Sequence, residues 1–277
     1  MNRLLVLRAS IPSPPTSEFH IGPVRFTFYG ILIALGVFVA WTLIRRRFAA
    51  RGGDPEVAER IVIRMLVFGF LGARLAYVST HLSRFEGEWW KVIAIWEGGL
   101  ALFGGLTAGA IAMYIYARRW RTDIANLLDA IAPALPLAQA FGRWGNYFNQ
   151  ELFGTPSDLP WAIEIDPVNR PAAYPTAETF HPTFLYESVW NVALAGLIIW
   201  IGKRYPSMRG RLIGVYFAGY GLIRFLLELI RTDTTFRFLG LSRNGWVSAG
   251  VVLLGAIVLS WKRLPWLKNT DTTHSTG

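Results

Sequence analysis

The chain has 277 residues, of which 53% are hydrophobic and only 17% are charged, and the apolar residues come in long blocks that are typical of an integral membrane protein. It contains no cysteine, which excludes disulfides, cysteine nucleophiles and cysteine-ligated metals. The net charge of +10 does not indicate a nucleic-acid partner, because most Lys and Arg lie in short connections between apolar blocks and orient the chain in a membrane.

Seven of the apolar blocks are long enough to cross a bilayer, since about 20 residues span its hydrocarbon core. In chain order the predicted helices cover 26–44, 61–78, 96–117, 124–147, 184–201, 212–230 and 246–261. Asp129, Pro133 and Pro136 interrupt the fourth block, so we expect that helix to be irregular. The sequence therefore predicts an all-α, polytopic membrane protein of about seven transmembrane helices, forming a single membrane domain over 1–277.

The basic residues in the connections predict the orientation. The connections after the first, third and fifth predicted helices, with the C-terminal tail, hold 15 Lys and Arg, whereas the other connections and the N-terminal segment hold 9. Because positive residues favour the cytoplasmic side, we expect the N-terminus outside and the C-terminus inside. The connection 148–183 has one Arg, six prolines and five carboxylates, and we expect it to form a small outside head or lid.

Four arginines fall inside predicted membrane helices: Arg64, Arg74, Arg143 and Arg224. An arginine at the centre of a bilayer costs about 2.5–3.5 kcal/mol even on the lenient insertion scale. Such residues normally face the interior of a helix bundle and find partners there. They are therefore the first candidates for a functional site.

The sixth predicted helix places three polar side chains on one face. Tyr220, Arg224 and Glu228 are spaced four residues apart, so Arg224 and Glu228 can pair within the helix. One interpretation is a guanidinium held ready for an anionic ligand, with Glu228 aiming it. The alternative is a buried ion pair that only fixes helix packing.

The end of the fourth predicted helix reads G-R-W-G-N-Y-F-N-Q-E-L-F-G over 142–154. Arg143 and Asn146 are spaced to face the same way, and Asn149 and Glu151 follow where the outside connection begins. A bidentate donor with carboxamides beside it suits a phosphate and the hydroxyl groups attached to it. The alternative is a helix end whose carbonyls are capped by polar side chains.

The remaining signals are weaker. Tyr29 in the first predicted helix has the position of an ordinary interfacial tyrosine. Arg74 lies near the outer end of the second, where its side chain could equally snorkel to the interface.

His20, His81 and His274 have no ligand partner at metal-binding spacing, so we expect no metal site. His181, directly before Pro182, is a capping residue in our interpretation, with a proton shuttle as the alternative. These patterns describe arginine-rich pockets for a phosphate-bearing amphiphile, and they leave an enzyme, a transporter and a non-catalytic lipid-binding scaffold open.

Several motifs together resemble the bacterial prolipoprotein diacylglyceryl transferase family. They are the segment 142–154, H-P-T-F-L-Y-E at 181–187, Y-G-L-I-R-F-L-L-E-L-I-R-T-D at 220–233, G-A-R-L-A-Y-V at 72–78 and F-Y-G at 28–30. The resemblance runs over about 29–248. It implies a multi-pass protein of the bacterial plasma (inner) membrane, with its active site toward the outer face and no cofactor.

The resemblance also implies the reaction. The diacylglyceryl group of phosphatidylglycerol moves to the thiol of the lipobox cysteine of a prolipoprotein, a thioether forms and glycerol phosphate leaves. With the pattern of the residues, it predicts catalytic roles for Arg143, Arg224, Glu151 and Tyr29. It predicts substrate binding by Arg143, Asn146, Asn149, Gly154, Tyr220, Glu228 and Arg74.

Two positions depart from the family pattern. Many members have a histidine before the G-G of the third helix, and this chain has Phe103. The late motif, usually G-Q-W, reads N-G-W from Asn244. We therefore nominate Glu151 to accept or relay the thiol proton. In the alternative, Glu151 only orients Arg143.

Overall fold

A computed structural model of the chain describes residues 10–95, 98–232 and 237–260. Eight α-helices lie in this part of the chain: α1 (Phe28–Ala49), α2 (Pro55–Thr80), α3 (Leu102–Arg119), α4 (Ile124–Ile131), α5 (Ala134–Phe148), α6 (Thr183–Arg204), α7 (Leu212–Glu228) and α8 (Arg243–Ser260). The third predicted helix starts at Trp96, and the seventh ends at Trp261. Both of these residues, and the C-terminal tail, lie outside the described residues. The prediction of a mostly helical protein is confirmed.

Five helical segments are long and apolar enough to cross a membrane: Phe28–Ala49, Pro55–Thr80, Ile124–Phe148, Thr183–Arg204 and Arg243–Ser260. The other two predicted spans correspond to α3 and α7. Helix α7 has 17 residues, which rise only about 25 Å along the axis and fall short of a hydrocarbon core of about 30 Å. Helix α3 contains several glycines and ends in Arg118 and Arg119. Seven spans therefore stay a prediction.

The irregularity expected in the fourth predicted helix is present. Helix α4 ends at Ile131 and α5 begins at Ala134, with a turn at Ala132 and Pro133 between them. Proline lacks the N–H that would continue the helical ladder, and its ring clashes with the preceding turn. Pro136 lies in the first turn of α5, where a missing N–H is tolerated.

The chain divides into two compact units, one of 1–40 with 131–264 and one of 41–130 with 265–277. In the second unit, α2 packs on α3 through glycines. A Cβ placed on Gly72 would lie 2.3 Å from Cβ of Ala108, and one on Gly104 would lie 2.3 Å from Cβ of Ala76. Only glycine permits this approach of two backbones, which is a common way for helices to pack in lipid.

In the first unit, α5, α6 and α7 pack in sequence, and α8 packs against α7. The α7–α8 contact is also close, because a Cβ on Gly255 would lie 2.5 Å from the backbone nitrogen of Ala218. Trp190 of α6 donates its indole N–H to the carbonyl of Gly219 in α7 at 2.9 Å. These helices form the frame that carries the polar residues of the unit.

Three short antiparallel hairpins, which the sequence did not predict, accompany the helices. They pair β1 (Glu18–Ile21) with β2 (Val24–Thr27), β3 (Ile163–Glu164) with β4 (Thr179–Phe180), and β5 (Arg237–Phe238) with β6 (Leu241–Ser242). The second hairpin belongs to the connection 149–182 between α5 and α6, which we call the head. It surrounds a small apolar core of Phe153, Ile163, Ile165, Phe180 and Phe184.

Residues 10–17, which we call the N-terminal strap, are fastened to the head. Ile11 N donates to the carbonyl of Ala162 at 2.7 Å, and Ser13 donates to Asp166 Oδ1 at 2.8 Å. Gln150 donates to the other oxygen of Asp166 at 2.6 Å. The hydrogen bonds from Gln150 and then Ser13 lower the pKa of the Asp166 carboxyl, because they stabilise its charged form.

Candidate active site

Two arginines and one buried glutamate, from three helices, form the centre of the candidate site. Arg143 lies near the end of α5, Glu187 in the second turn of α6 and Arg224 in α7. Oε1 of Glu187 lies 2.9 Å from Nε of Arg143, and Oε2 lies 3.3 Å from Nη1 of Arg224. One carboxylate therefore holds two guanidinium groups of different helices close together.

The exposure of these side chains differs in a way that matters for binding. The side chain of Glu187 is 2% exposed, whereas those of Arg143 and Arg224 are 21% and 14% exposed. The carboxylate lies behind the guanidinium groups, which keep accessible surface. An anion that approached the site would meet the two arginines first.

Glu228 completes what we call the ion cluster, which consists of Arg143, Glu187, Arg224 and Glu228. Its Oε2 lies 3.5 Å from Nη2 of Arg224, which confirms the pairing predicted within α7. Its Oε1 accepts a hydrogen bond of 2.6 Å from Ser242, and the Ser242 hydroxyl in turn accepts the backbone N–H of Gly245 at 2.9 Å. The residue that precedes α8 thus holds the second oxygen of the Glu228 carboxylate.

A chain of hydrogen bonds leads from Arg143 toward the head. Nη1 of Arg143 donates to Oδ1 of Asn146 at 3.1 Å, and the Asn146 amide donates to Oε1 of Glu151 at 2.9 Å. Asn149 donates to the same oxygen at 3.2 Å. The predicted proximity of these four residues is confirmed. The link between Glu151 and Arg143 runs through Asn146, so Glu151 is coupled to the guanidinium and is also exposed to solvent.

Two tyrosines flank Arg143. Tyr220 of α7 is within hydrogen-bond range of the Arg143 guanidinium, one turn before Arg224. The Tyr29 ring of α1 lies against Gly145, where an added Cβ would come within 2.1 Å of the ring. Gly145 therefore lets α1 bring an aromatic side chain beside the α5 segment that carries Arg143. The catalytic role of Tyr29 stays a prediction.

Gly154 lies where the head contacts the residues that follow α7. Its N–H donates to the carbonyl of His181 at 2.9 Å, and the next residue, Thr155, donates to the carbonyl of Ile230 at 2.8 Å. A Cβ on Gly154 would lie 2.8 Å from Cβ of His181. A larger residue would clash with His181 here, so packing alone is enough to require glycine at this position. The role of Gly154 in substrate binding stays a prediction.

Arg74 belongs to the second unit, where its guanidinium binds backbone carbonyls. It donates to Lys91 at 2.5 Å, Val92 at 2.8 Å, Gly98 at 2.6 Å and Gly99 at 2.9 Å. These bonds give Arg74 a clear structural role in holding the connection between α2 and α3. Its role in substrate binding stays a prediction.

Sequence reasoning did not select Glu187 or Ser242. Glu187 is the acidic residue of α6, and a carboxylate in an apolar helix is as informative as an arginine there. That signal was present in the sequence, since every buried arginine needs a counter-charge. Ser242 carried no such signal, because a serine in a connection is ordinary.

Comparisons with known proteins bear on this geometry. The family model described as prolipoprotein diacylglyceryl transferase matches residues 17–261. The chain is 43% identical to "Phosphatidylglycerol–prolipoprotein diacylglyceryl transferase 2" of Streptomyces coelicolor, over 97% of this chain and 86% of the relative. It is 41% identical to the transferase of the same name, without a number, from Cutibacterium acnes, over 92% and 86%. The chain therefore belongs to the prolipoprotein diacylglyceryl transferase family.

Proposed function

We propose that this chain transfers the diacylglyceryl group of phosphatidylglycerol to the lipobox cysteine thiol of prolipoproteins. The sulfur forms a bond to the terminal glycerol carbon, the bond from that carbon to the phosphate oxygen breaks, and glycerol phosphate leaves. The observation that carries the proposal is the pair of partly exposed arginines held on one buried carboxylate. A phosphodiester is the anion that this pair would bind in the named reaction.

Arg143 and Arg224 bind the phosphate and stabilise the charge that develops on the leaving group. A phosphodiester becomes a phosphomonoester, so negative charge increases where the guanidinium groups already point. Donors that are fixed before the reaction act strongly in a water-poor site. Glu187 and Glu228 position the two arginines, and Asn146 supplies a further polar contact beside Arg143.

The nucleophile comes with the protein substrate, since this chain has no cysteine. A thiol has an ordinary pKa near 8.5, and nearby guanidinium groups favour its ionised form. Glu151 takes the proton or relays it to solvent. Its exposed carboxylate and its hydrogen bonds from Asn146 and Asn149 support this role, because they place a base at the end of the network that binds Arg143.

The chain spans the bacterial plasma membrane seven times, with the N-terminus and the head outside and the C-terminus inside. The distribution of Lys and Arg supports this orientation, and the five long apolar helices support a multi-pass protein. A reporter that is active only outside the membrane should work when inserted in the head and fail when inserted after Arg211. The opposite pattern would overturn the orientation.

The activity can be tested with the purified chain, radiolabelled phosphatidylglycerol and a lipobox peptide. We expect a labelled thioether product that a peptide with serine in place of the cysteine does not give. Complementation of a strain depleted of its own transferase should agree. Binding of the lipid without any product, at any pH, would contradict the proposal and favour a non-catalytic scaffold.

A further inference from the structure

A second group of polar side chains lies one helical turn from Arg143, Glu187 and Tyr220, on the side away from the head. It consists of Gln139 of α5, Asn191 of α6 and Tyr216 of α7, and we call it the polar layer. Each of these residues is four positions from Arg143, Glu187 or Tyr220, so it shares a helix face with that residue. Helices α5 and α7 run toward the head, and Gln139 and Tyr216 come before their reference residues. Helix α6 runs away from the head, and Asn191 comes after Glu187. All three residues of the polar layer therefore lie farther from the head than the residues to which they are compared.

The polar layer contains hydrogen-bonding groups that the protein itself does not satisfy. Asn191 is fully buried, and among the residues that the structure describes neither its amide nitrogen nor its amide oxygen has a partner. Gln139 donates to the Tyr216 hydroxyl at 3.0 Å, but its buried oxygen also lacks a partner in the described part of the chain. Buried amides are normally hydrogen-bonded, so these groups call for an explanation.

Neighbouring polar groups in α6 are satisfied. Ser188 donates to the carbonyl of Ala140 at 3.0 Å, and Trp190 donates to Gly219. The unpaired amide of Asn191 is therefore a local feature and not a general property of the helix. Gln139 keeps some exposed surface, whereas Asn191 and Tyr216 are buried, so a lipid ester would enter the layer beside Gln139.

The spacing of the polar layer from Arg143 and Glu187 is similar to the spacing between the phosphate and the ester groups of a glycerophospholipid. One helical turn rises about 5.4 Å, and the glycerol carbons that join a phosphate to its ester groups span a similar length. A lipid with its phosphate on Arg143 and Arg224, and with its chains away from the head, would bring its ester carbonyls to the level of Asn191. An ester carbonyl is an acceptor, and the Asn191 amide offers two N–H donors.

We infer that the polar layer binds the ester carbonyls of the diacylglyceryl group, with Asn191 as the donor, and so selects ester-linked over ether-linked lipid. This inference rests on the proposed function, because it needs the phosphate at the two arginines. The ester carbonyls take no part in the bonds that form and break. Replacing them by ether methylenes therefore tests recognition and leaves the reacting carbon unchanged.

The first experiment uses the unmodified chain. Transfer to one lipobox peptide is compared for diester and diether phosphatidylglycerol of equal chain length, in the same detergent micelles. We expect kcat/KM to be about ten-fold or more higher for the diester, since the diether leaves buried donors unpaired. Equal values would overturn the inference. Absence of transfer from both lipids would instead contradict the proposed function.

The second experiment assigns the donor. Asn191→Leu keeps the size of the side chain, and we expect it to lower transfer from the diester to near the diether value. Ser188→Ala removes a satisfied hydroxyl on the same helix and should keep the preference for the diester. A preference that survives in a folded Asn191→Leu chain, judged by its melting temperature in detergent, would rule out Asn191. If that variant does not fold, Gln139→Leu should reduce the same preference, and an unchanged preference would count against the polar layer.

Discussion

Nε of Arg143 lies 2.9 Å from Oε1 of Glu187, in an ion pair that joins α5 to α6 and leaves the carboxylate almost without contact with solvent. An arginine side chain has many rotamers, and this pair selects one of them before any substrate arrives. Catalysis by fixed dipoles depends on such preorganisation. The pair therefore links the packing of two membrane helices to the position of the group that we propose binds the phosphate.

Replacement of Glu187 by glutamine should impair both stability and transfer. Removing one partner of a buried ion pair typically costs about 3–5 kcal/mol, because the other charge is left uncompensated. We expect a lower melting temperature in detergent and transfer reduced about 100-fold or more. Glu178→Gln, at an exposed position of the head, is the matched control and should resemble the wild type. A Glu187→Gln chain with normal stability and activity would contradict the bridging role.

Arg143→Lys keeps the charge but removes the planar fork that contacts Glu187 and Asn146 at once. We expect kcat/KM to fall about 100- to 1,000-fold, the usual loss when one donor to a developing oxyanion is removed. Transfer from labelled lipid under single-turnover conditions is the measurement. Arg60→Lys, on the exposed face of α2, should have no effect. Near-normal transfer by Arg143→Lys would argue for a point charge in place of a bidentate donor.

Glu151→Gln distinguishes a base from an orienting group through its pH dependence. If Glu151 accepts the proton, the variant should lose most activity at pH 7 and regain part of it near pH 9, where a thiol with a pKa of about 8.5 ionises unaided. Rates from pH 6 to 9.5 provide the test. Asn149→Ala removes one hydrogen bond to Glu151 without removing the base, and its profile should keep the wild-type shape. An equal loss at every pH would show that Glu151 acts only through Asn146 and Arg143.

Acidification should loosen the N-terminal strap at Ser13, where Asp166 holds it, while the backbone hydrogen bonds of Ile11 remain. Its folded pKa lies below the ordinary value of 3.8, so its contribution to stability is full above that value and is lost as the pH falls through the lowered pKa. A nitroxide on Pro15→Cys, in a chain that has no other cysteine, reports the mobility of the strap. We expect low mobility from pH 7 to pH 4 and a rise only below about pH 3.8.

In the same labelled chain, Asp166→Asn should make the label more mobile already at pH 7, because the neutral amide no longer accepts both hydrogen bonds as a carboxylate does. Glu178→Gln serves again as the control. If the strap of the wild-type chain loosened near neutral pH, a titratable group other than Asp166 would control its mobility.

Local spacing was sufficient to predict part of the site. The contacts of Arg143 with Asn146 and of Arg224 with Glu228 follow from residues three and four apart on one helix, and both are present. The break near Pro133 also follows from local chemistry. The periodicity of a helix determines these features, so they need no knowledge of how the helices pack.

Contacts between distant segments could not be derived in the same way. Glu187 meets two arginines because α6 packs beside α5 and α7, and Ser13 meets Asp166 across 153 positions of sequence. The hairpins are only two to four residues per strand, too short for alternation to be visible. Several packings of the same helices would satisfy the sequence pattern, and only the folded chain selects one.

The backbone bonds at Gly154 and Thr155 have a consequence for how substrates reach the arginines. The first joins Gly154 to His181 within the head, and the second joins Thr155 to Ile230, which follows α7, so a hinge motion of the head away from α7 would break the second bond. The head is therefore a fixed part of the unit and not a lid that opens by a hinge motion. With the head held in place, a lipid reaches Arg143 and Arg224 through openings between side chains and not by displacement of the head.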